Sequence, residues 1–422
     1  MNFIDDTKHT RQCYNTNFIE IKNMLNEKIN IDSIEDRKAQ IKAHLQEYLK
    51  NDSNFDFDVL THEFYEELYE YSVITPYMKM GDENKITDFF IDGFNDISYR
   101  NLEGRLIDTG VSFFNEAHLK TVIDKIIDSN KSDLNKSSMT LESTFANGAR
   151  LTGQHPIINV NGFSLAIRFK APKIFTETDY LRFGSCSKEM IDFYKFITRI
   201  GARVMIHGIT GSGKTSLLES LIRMYPRDST GRSVHRHGFV TDNEIVYLRK
   251  RDPLLRVLEI NSVKKGEHQF SLSDAVKNAL RMDIKKLHFN EIRDVEVYDV
   301  FKGWTTGHDG ISGCFGENVL DAWNGLSLNL KAYNNNFSDQ YCAQLIDKAV
   351  DVFIECKQVG KKKVHNAVRQ LVGIDEFNRP ILETLFEYNE SRNEFISHLD
   401  NIELSEKLKI KELGGIGGVN HE

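Results

Sequence analysis

The sequence predicts an α/β protein in two folded parts: a small mixed α+β domain, then a larger domain built on a parallel sheet with crossover helices. Three observations predict it. The chain has 422 residues, enough for two or three domains with cores of their own. From "RVMIH" (203–207) onward, short apolar runs alternate with helical patterns, as parallel strands joined by crossovers do. The stretch "MIHGITGSGKTSLLESLI" (205–222) sets a glycine-rich turn between an apolar strand and a helix.

Composition narrows the class. Hydrophobic residues make up 40% and charged residues 27%, and the net charge is -8. The whole chain therefore has no electrostatic bias toward nucleic acid or anionic lipid, although a local basic patch stays open. The five cysteines, Cys13, Cys186, Cys314, Cys342 and Cys356, form no C-x-x-C pair, which suits neither a disulfide framework nor a zinc site and suggests a reducing compartment. The start, "MNFIDDTKHTRQCYN", is polar and acidic, unlike a signal peptide. No apolar run approaches the roughly 20 residues of a membrane span. A cytoplasmic protein is expected, peripheral at most to the membrane face.

Taken in order, residues 1–55 read as a helical N-terminal extension. "DSIEDRKAQIKAHLQEYLKND" carries Ile34, Ile41, Leu45 and Leu49 at helical spacing, with Asp32 or Ser33 as cap. Residues 56–170 read as the α+β domain. "HEFYEELYEYSVITPYM" is helical in pattern; "KITDFFID", "DISYRNLEGRLIDTG" and "FSLAIRFK" are strand-like, with a turn at Leu102-Glu103-Gly104. A helix carrying Leu119, Val122, Ile123 and Ile126 lies between them. Residues 171–189, with Pro172 and Gly184, read as a linker. Residues 190–400 form the large domain: strands at "RVMIH", "HGFVTD", "KLHFNE" and "GISGCF", helices from Thr215 and near Ser273–Met282, and a closing antiparallel portion from "AVDVFIECKQ", "KKVHNAVRQLVGI" and "PILETLFEYN". The tail, 401–422, ends in "GGIGGVNHE" and is expected to fray.

Gly208, Thr210, Gly211, Ser212, Gly213, Lys214 and Thr215 lie in a G-x-x-x-x-G-K-S/T match, with Ser216 next. Glycines let the backbone turn its N–H groups toward phosphate oxygens. The lysine suits β- and γ-phosphates, the threonine suits Mg²⁺, and the helix that follows directs its positive end at the anion. The chemistry then needs a carboxylate to act on water. Glu291 of "KKLHFNEIRD" ends an apolar strand, where ligands bind in such sheets; the competing reading is a Glu291–Arg293 surface pair. Asp242 and Glu244 of "FVTDNEIVYL" could hold Mg²⁺ through water, position the attacking water, or be ordinary turn residues. His308 stands between glycines in "TTGHDG".

The order of these features resembles the secretion ATPases of type II and type IV systems and type IV pili, most of all the CpaF-like branch. The resemblance covers about residues 60–390. It includes "KITDFFID" and "ANGARL…HPIINVNGFSLAIRFK" upstream, and the loop, the acidic box, "LRM…NEIRD" and "TTGHDG" downstream. It implies a sensor-like N-terminal domain and a RecA-like P-loop domain joined by a flexible linker, assembled as a homohexamer that binds ATP and Mg²⁺. Position by position it implies that Lys214 and Thr215 bind phosphate and metal, that Glu291 is the Walker B glutamate, that Asp242 lies in the acidic box and that His308 opens the His box. Arg150 and Arg168 match N-terminal-domain arginines that reach nucleotide phosphates. A permanent planar cation suits that task, and the competing reading is a strand-edge salt bridge.

The sequence departs from the pattern in places. Thr241 replaces one acid of the acidic box, Asn290 the glycine before Glu291, and Asp283-Ile284-Lys285 the usual P-D-R. The family's T-x-H-A-N is "CFGEN", with Cys314, Gly316 and Glu317 at three family positions and Asn318 retained. Cys314 reads as a substituted strand residue. The resemblance implies an ATP-driven motor for secretion, conjugation or pilus assembly, working on an inner-membrane platform protein, with no direct nucleic-acid partner. Two alternatives stay open: a RecA-like nucleic-acid translocase, for which "KQVGKKKVH", Trp304 and Trp323 would have to form a basic, stacking channel, and a nucleotide-gated scaffold with weak hydrolysis.

Overall fold

A computed structural model describes residues 11–29, 33–50, 52–83, 85–102, 104–129, 134, 138–145, 148–169, 174–242, 248–262, 270–360 and 362–416. The chain divides into two compact units, Met1–Ala171 and Pro172–Glu422. No helix among the described residues is long and apolar enough to cross a membrane.

The first unit holds a six-stranded antiparallel sheet. Its strands are β1 (Ile86–Ile91), β2 (Ile97–Asn101), β3 (Leu106–Asp108), β4 (Thr140–Thr144), β5 (Arg150–Gln154) and β6 (Ser164–Arg168), in the order β3-β2-β1-β6-β5-β4. β4 and β5 are additions to the strands expected from the sequence. The helix Glu116–Ser129 buries Leu119, Val122, Ile123 and Ile126 on one face, as their spacing predicts. Ser33 caps the helix Ile34–Tyr48 by accepting from the Asp36 N–H.

The described part of residues 1–55 is not a separate extension. Phe18, Ile21, Leu25, Ile41 and Leu45 are buried in one core with Phe64, Phe89 and Leu119. The i, i+4 pairs Ile21/Leu25 and Ile41/Leu45 give each helix an apolar stripe that only this core can cover. A buried carboxylate, Glu67 of the helix Phe57–Tyr69, ties the helices Phe18–Lys28 and Glu116–Ser129 to its own. Glu67 accepts from Ser72 Oγ at 2.5 Å and from Tyr14 Oη at 3.3 Å, sits 2.7 Å from His118 Nε2 and pairs with Lys22 at 3.3 Å. Burial opposes its charge, but the hydrogen bond and field of His118, with Lys22 and Ser72, outweigh it and hold the carboxyl at about 2.

The second unit is built on nine strands: β7 (Val204–His207), β8 (His237–Asp242), β9 (Val257–Ser262), β10 (Lys286–Ile292), β11 (Ile311–Cys314), β12 (Val352–Val359), β13 (Lys362–Ile374), β14 (Pro380–Asn389) and β15 (Glu394–Ser397). Their order is β15-β14-β13-β12-β7-β11-β10-β8-β9. The six from β12 to β9 are mutually parallel, and β12 to β15 form an antiparallel meander. This is the expected RecA-like α/β architecture. β7 lies inside the parallel part with β11 between it and β10, so β7 and β10 are not neighbours.

Strand alternation sends Val204 and Ile206 to one face and Met205 to the other. The helices Lys188–Arg199 and Lys214–Met224 supply Met190, Tyr194, Leu217 and Leu221 to the first face. The second face is filled from Leu272–Leu280, Val297–Thr305, Val319–Tyr333 and Asp339–Ala349. Trp304 and Trp323 are buried there, their indole N–H groups donating to the Leu287 and Asn378 carbonyls. They form no stacking platform.

Two stretches differ from expectation. Within 171–189, Thr176 opens a capping box on the helix Glu177–Phe183, and Ile174, Tyr180 and Cys186 are buried in the second unit's core. In 401–422, the helix Glu406–Ile416 runs through Gly414 and Gly415, while the rest of the stretch expected to fray, residues 417–422, lies outside the described residues. Leu408 anchors it in the core, and Lys411 donates to the Gly201 carbonyl at 2.6 Å and pairs with Asp351 at 3.2 Å. Tertiary contacts thus outweigh the poor helix propensity of glycine. All five cysteines are free and buried.

Candidate nucleotide site

The site begins where β7 ends. His207 is the last strand residue, and the loop from Gly208 leads into the helix Lys214–Met224. Gly208 has φ +152°, and a Cβ there would lie 2.3 Å from the Cys356 carbonyl oxygen of β12. Only glycine lets the loop leave the sheet so close to its neighbour. Thr210 and Gly211 are exposed, Ser212 is buried with its hydroxyl unpartnered, and Gly213, Thr215 and Ser216 are half-buried.

Lys214 is buried and folded back over the loop. Its Nζ donates to the Gly208 carbonyl at 2.7 Å and the Ile209 carbonyl at 3.1 Å, and lies 3.5 Å from Glu291 Oε1. Glu291 comes from the C-terminal end of β10, two strands away across β11. Its other oxygen accepts from Arg293 Nε at 2.9 Å and from a terminal nitrogen of the same guanidinium. Glu291 thus pairs with Arg293 and also faces the loop lysine.

A residue the sequence reading passed over completes this group. Phe315 follows β11, and both Lys214 Nζ and Arg293 Cζ stand over its ring, at 4.6 and 5.3 Å from the centroid. Its position just past the C-terminal end of a parallel strand was the signal available in the sequence. Gly316 has φ +157°, and a Cβ would lie 2.5 Å from the Ala322 nitrogen. Any side chain at 316 would therefore require the backbone there to shift.

His207 lies against that backbone. Its Nδ1 is 3.3 Å from the Gly316 carbonyl, so this nitrogen carries the proton and Nε2, buried and unpartnered, is the bare one. Burial holds the imidazole at about 4, against the opposing field of Glu355. Glu355, beside His207 in register, is held by Arg369 at 2.9 Å and Asn366 at 2.5 Å. Cys314 is buried and its thiol is pushed up to about 12, which makes it inert.

The remaining expected residues are placed as follows. Asp242 is the last residue of β8, at the same end of the sheet as Glu291. Glu244 lies outside the described residues. His308 is not brought to the loop. It precedes β11, whose Ile311 and Cys314 pair with Val204 and His207, so it stands at the strand's N-terminal end while the loop follows the C-terminal end. Its Nδ1 is 3.2 Å from the Gly303 carbonyl, closing a helix. His308 therefore lies away from this chain's own phosphate loop. In the first unit, Arg150 and Arg168 are directly paired across β5 and β6. Arg168 donates to Asp88 at 2.8 Å, and Arg150 is 3.9 Å from Glu142.

A family model described as type II/IV secretion system protein matches residues 150–391, more than half of the chain. The chain belongs to this family. Among relatives, an uncharacterised protein of Methanocaldococcus jannaschii is 27% identical over 199 residues, 44% of this chain and 26% of that protein. The conjugal transfer protein TrbB of Rhizobium radiobacter is 24% identical over 248 residues, 56% of this chain and 68% of TrbB. The chain thus spans only about a quarter of the first of these relatives. Among solved structures, the Legionella pneumophila ATPase DotB matches with TM-score 0.48 at 17% identity, over 80% of this chain and 86% of that one. In this type II/IV secretion family member the loop, Glu291 and Arg150 all lie inside the matched residues.

Proposed function

We propose that the chain is an ATP-hydrolysing motor that powers a secretion, conjugation or pilus-assembly machine. The observation that carries this reading is Lys214 of a phosphate loop 3.5 Å from Glu291. A nucleotide's phosphates would draw Lys214 from the loop carbonyls and leave Glu291 beside the reacting phosphoryl group, suited to orient water. The Thr215 hydroxyl and the Glu291 carboxylate are hard oxygen donors that suit Mg²⁺, with Asp242 and Glu244 as further acids at that sheet end. When bound, the metal neutralises phosphate charge. Gly208 to Ser216 supply backbone N–H groups and a helix N-terminus.

Arg150 and Arg168 are proposed to meet nucleotide phosphates during turnover. Like charges directly opposed across strands repel, and an anion would relieve that. Motion between the units follows from ATP turnover. In the proposed motion residues 174–189 belong with the second unit, because Ile174, Tyr180 and Cys186 are packed in its core. The proposed assembly is a homohexamer at the cytoplasmic face of the membrane, acting on an inner-membrane platform protein. The family and the conjugal transfer relative support this setting.

The test is steady-state ATP hydrolysis by the wild type, Lys214→Ala and Glu291→Gln, with nucleotide binding measured in the same samples. Both variants should lose turnover, and Glu291→Gln should still bind ATP. Tight wild-type binding with turnover no higher than in the variants would favour the nucleotide-gated scaffold instead. The glycine at 316 is the observation on that side.

A further inference from the structure

A second site lies at the other end of the same sheet. A cavity of about 600 Å³ opens beside the N-terminal ends of β8, β9 and β10. Its lining includes Arg232, Arg236, Arg249, Arg256 and Lys285, with Asp283 as the one acid among the described residues. All five cations are exposed. Lys285 pairs with Asp283 at 3.0 Å, and Arg256 is 3.7 Å from Asp228. The guanidinium groups of Arg232, Arg236 and Arg249 have no carboxylate partner among the described residues. In a chain of net charge -8, so concentrated an excess of positive charge marks a place where an anion is accommodated. His235 also lines the cavity, held below its ordinary value by burial and by the neighbouring Lys286 and Lys285.

We propose that this cavity binds an acidic segment of a partner protein, its carboxylates gripped by Arg232, Arg236 and Arg249. Two features select a peptide over a nucleic acid, and a third suits the anion itself. Among the described residues the cavity's apolar lining is Val234, Leu255, Val257 and Leu258, with no Phe, Tyr or Trp ring on which a base could stack. The guanidinium fork grips a carboxylate with two parallel hydrogen bonds, as it does a phosphate, so it selects an anion. Finally, β9 is the end strand of the sheet and pairs only with β8 among the described strands. An extended peptide could therefore add backbone hydrogen bonds to side-chain pairing. The site is remote from the phosphate loop, which follows the opposite ends of the strands, so it would dock a partner without blocking the nucleotide.

The test uses the full chain and a fluorescein-labelled peptide of six glutamates, read by anisotropy at low and at physiological salt. A six-glutamine peptide and a single-stranded oligonucleotide serve as comparison probes. The variant Arg232→Glu/Arg236→Glu should weaken hexaglutamate binding by tenfold or more on the order expected for lost charged pairs. The charge-matched Lys277→Glu/Lys348→Glu, at exposed positions elsewhere in the unit, should leave it within about twofold. The milder Arg232→Gln/Arg236→Gln should also weaken it, which guards against misfolding of the charge reversal. Equal loss in the two charge-reversal variants would overturn the site. So would binding of the oligonucleotide alone, or no binding of hexaglutamate by the wild type.

Discussion

Restoring the histidine that the family carries at position 316 should damage this protein. The backbone there has φ +157°, and a Cβ would lie 2.5 Å from the nitrogen and 2.7 Å from the Cα and Cβ of Ala322. Those atoms belong to the first turn of Val319–Tyr333, which is fixed by Asn318 Oδ1 accepting from the Leu320 and Asp321 N–H groups, both at 3.0 Å. The loop therefore cannot give way without moving a capped helix. A non-glycine residue in so sparsely populated a conformation costs about 1–3 kcal/mol, and crowding of a packed contact adds about 1–3 kcal/mol. A total of about 4 kcal/mol would lower the unfolding temperature of the second unit by roughly 8–16 °C. Calorimetry on wild type, Gly316→Ala and Gly316→His tests this. Alanine carries the same Cβ and should show most of the loss. If Gly316→His melts within about 2 °C of wild type, less than the smallest shift expected for 1 kcal/mol, and hydrolyses ATP faster, the argument from backbone geometry is wrong.

Two further outcomes follow from the buried titratable groups. Burial holds His237 and His365 at about 3 and His207 at about 4, and holds His288 well below its ordinary value. Each is neutral in the folded state, so the stability they allow is intact above about pH 6.5 and falls as the unfolded chain takes up protons below it. The loss should be about 1.4 kcal/mol for each histidine at pH 5.5, seen as a lower urea midpoint than at pH 7.5; a flat profile across that range would contradict it. Glu67→Ala should destabilise the first unit by about 3–5 kcal/mol, because partly buried Lys22 would lose its carboxylate partner and Arg11 would keep only Glu66. Limited proteolysis should then cut first in the segment 11–50, and an unchanged cleavage pattern would count against the Glu67 pivot.

The phosphate loop was legible because its whole logic is local: glycines, lysine and helix follow one another within one turn of chain. Glu291 was legible by rule, since it ends a buried strand. The group around it was not. Lys214, Glu291, Arg293 and Phe315 meet only because β11 is inserted between β7 and β10, and strand order is not written in any one segment. His207 and Gly316 become neighbours by the same register. His308 shows the converse: its motif follows the loop along the chain, while strand direction sets it at the N-terminal end of β11. The glycines of the tail suggested fraying, yet buried Leu408 and the Lys411 contacts hold that helix. β4, "TLEST", escaped notice because a single buried residue, Leu141, gives no readable alternation.

The burial of all five cysteines offers a practical handle on the proposed motion. Burial pushes the thiols of Cys186, Cys314 and Cys356 up to about 12 and raises those of Cys13 and Cys342. An exposed engineered cysteine, with an ordinary value of about 8.5, would carry roughly a thousandfold more thiolate near neutral pH than the three at about 12. Cysteines introduced at exposed Lys120 in the first unit and Lys348 in the second could thus take up a donor and an acceptor dye in the otherwise native chain. Energy transfer between them would then follow the two units in real time as nucleotide is added.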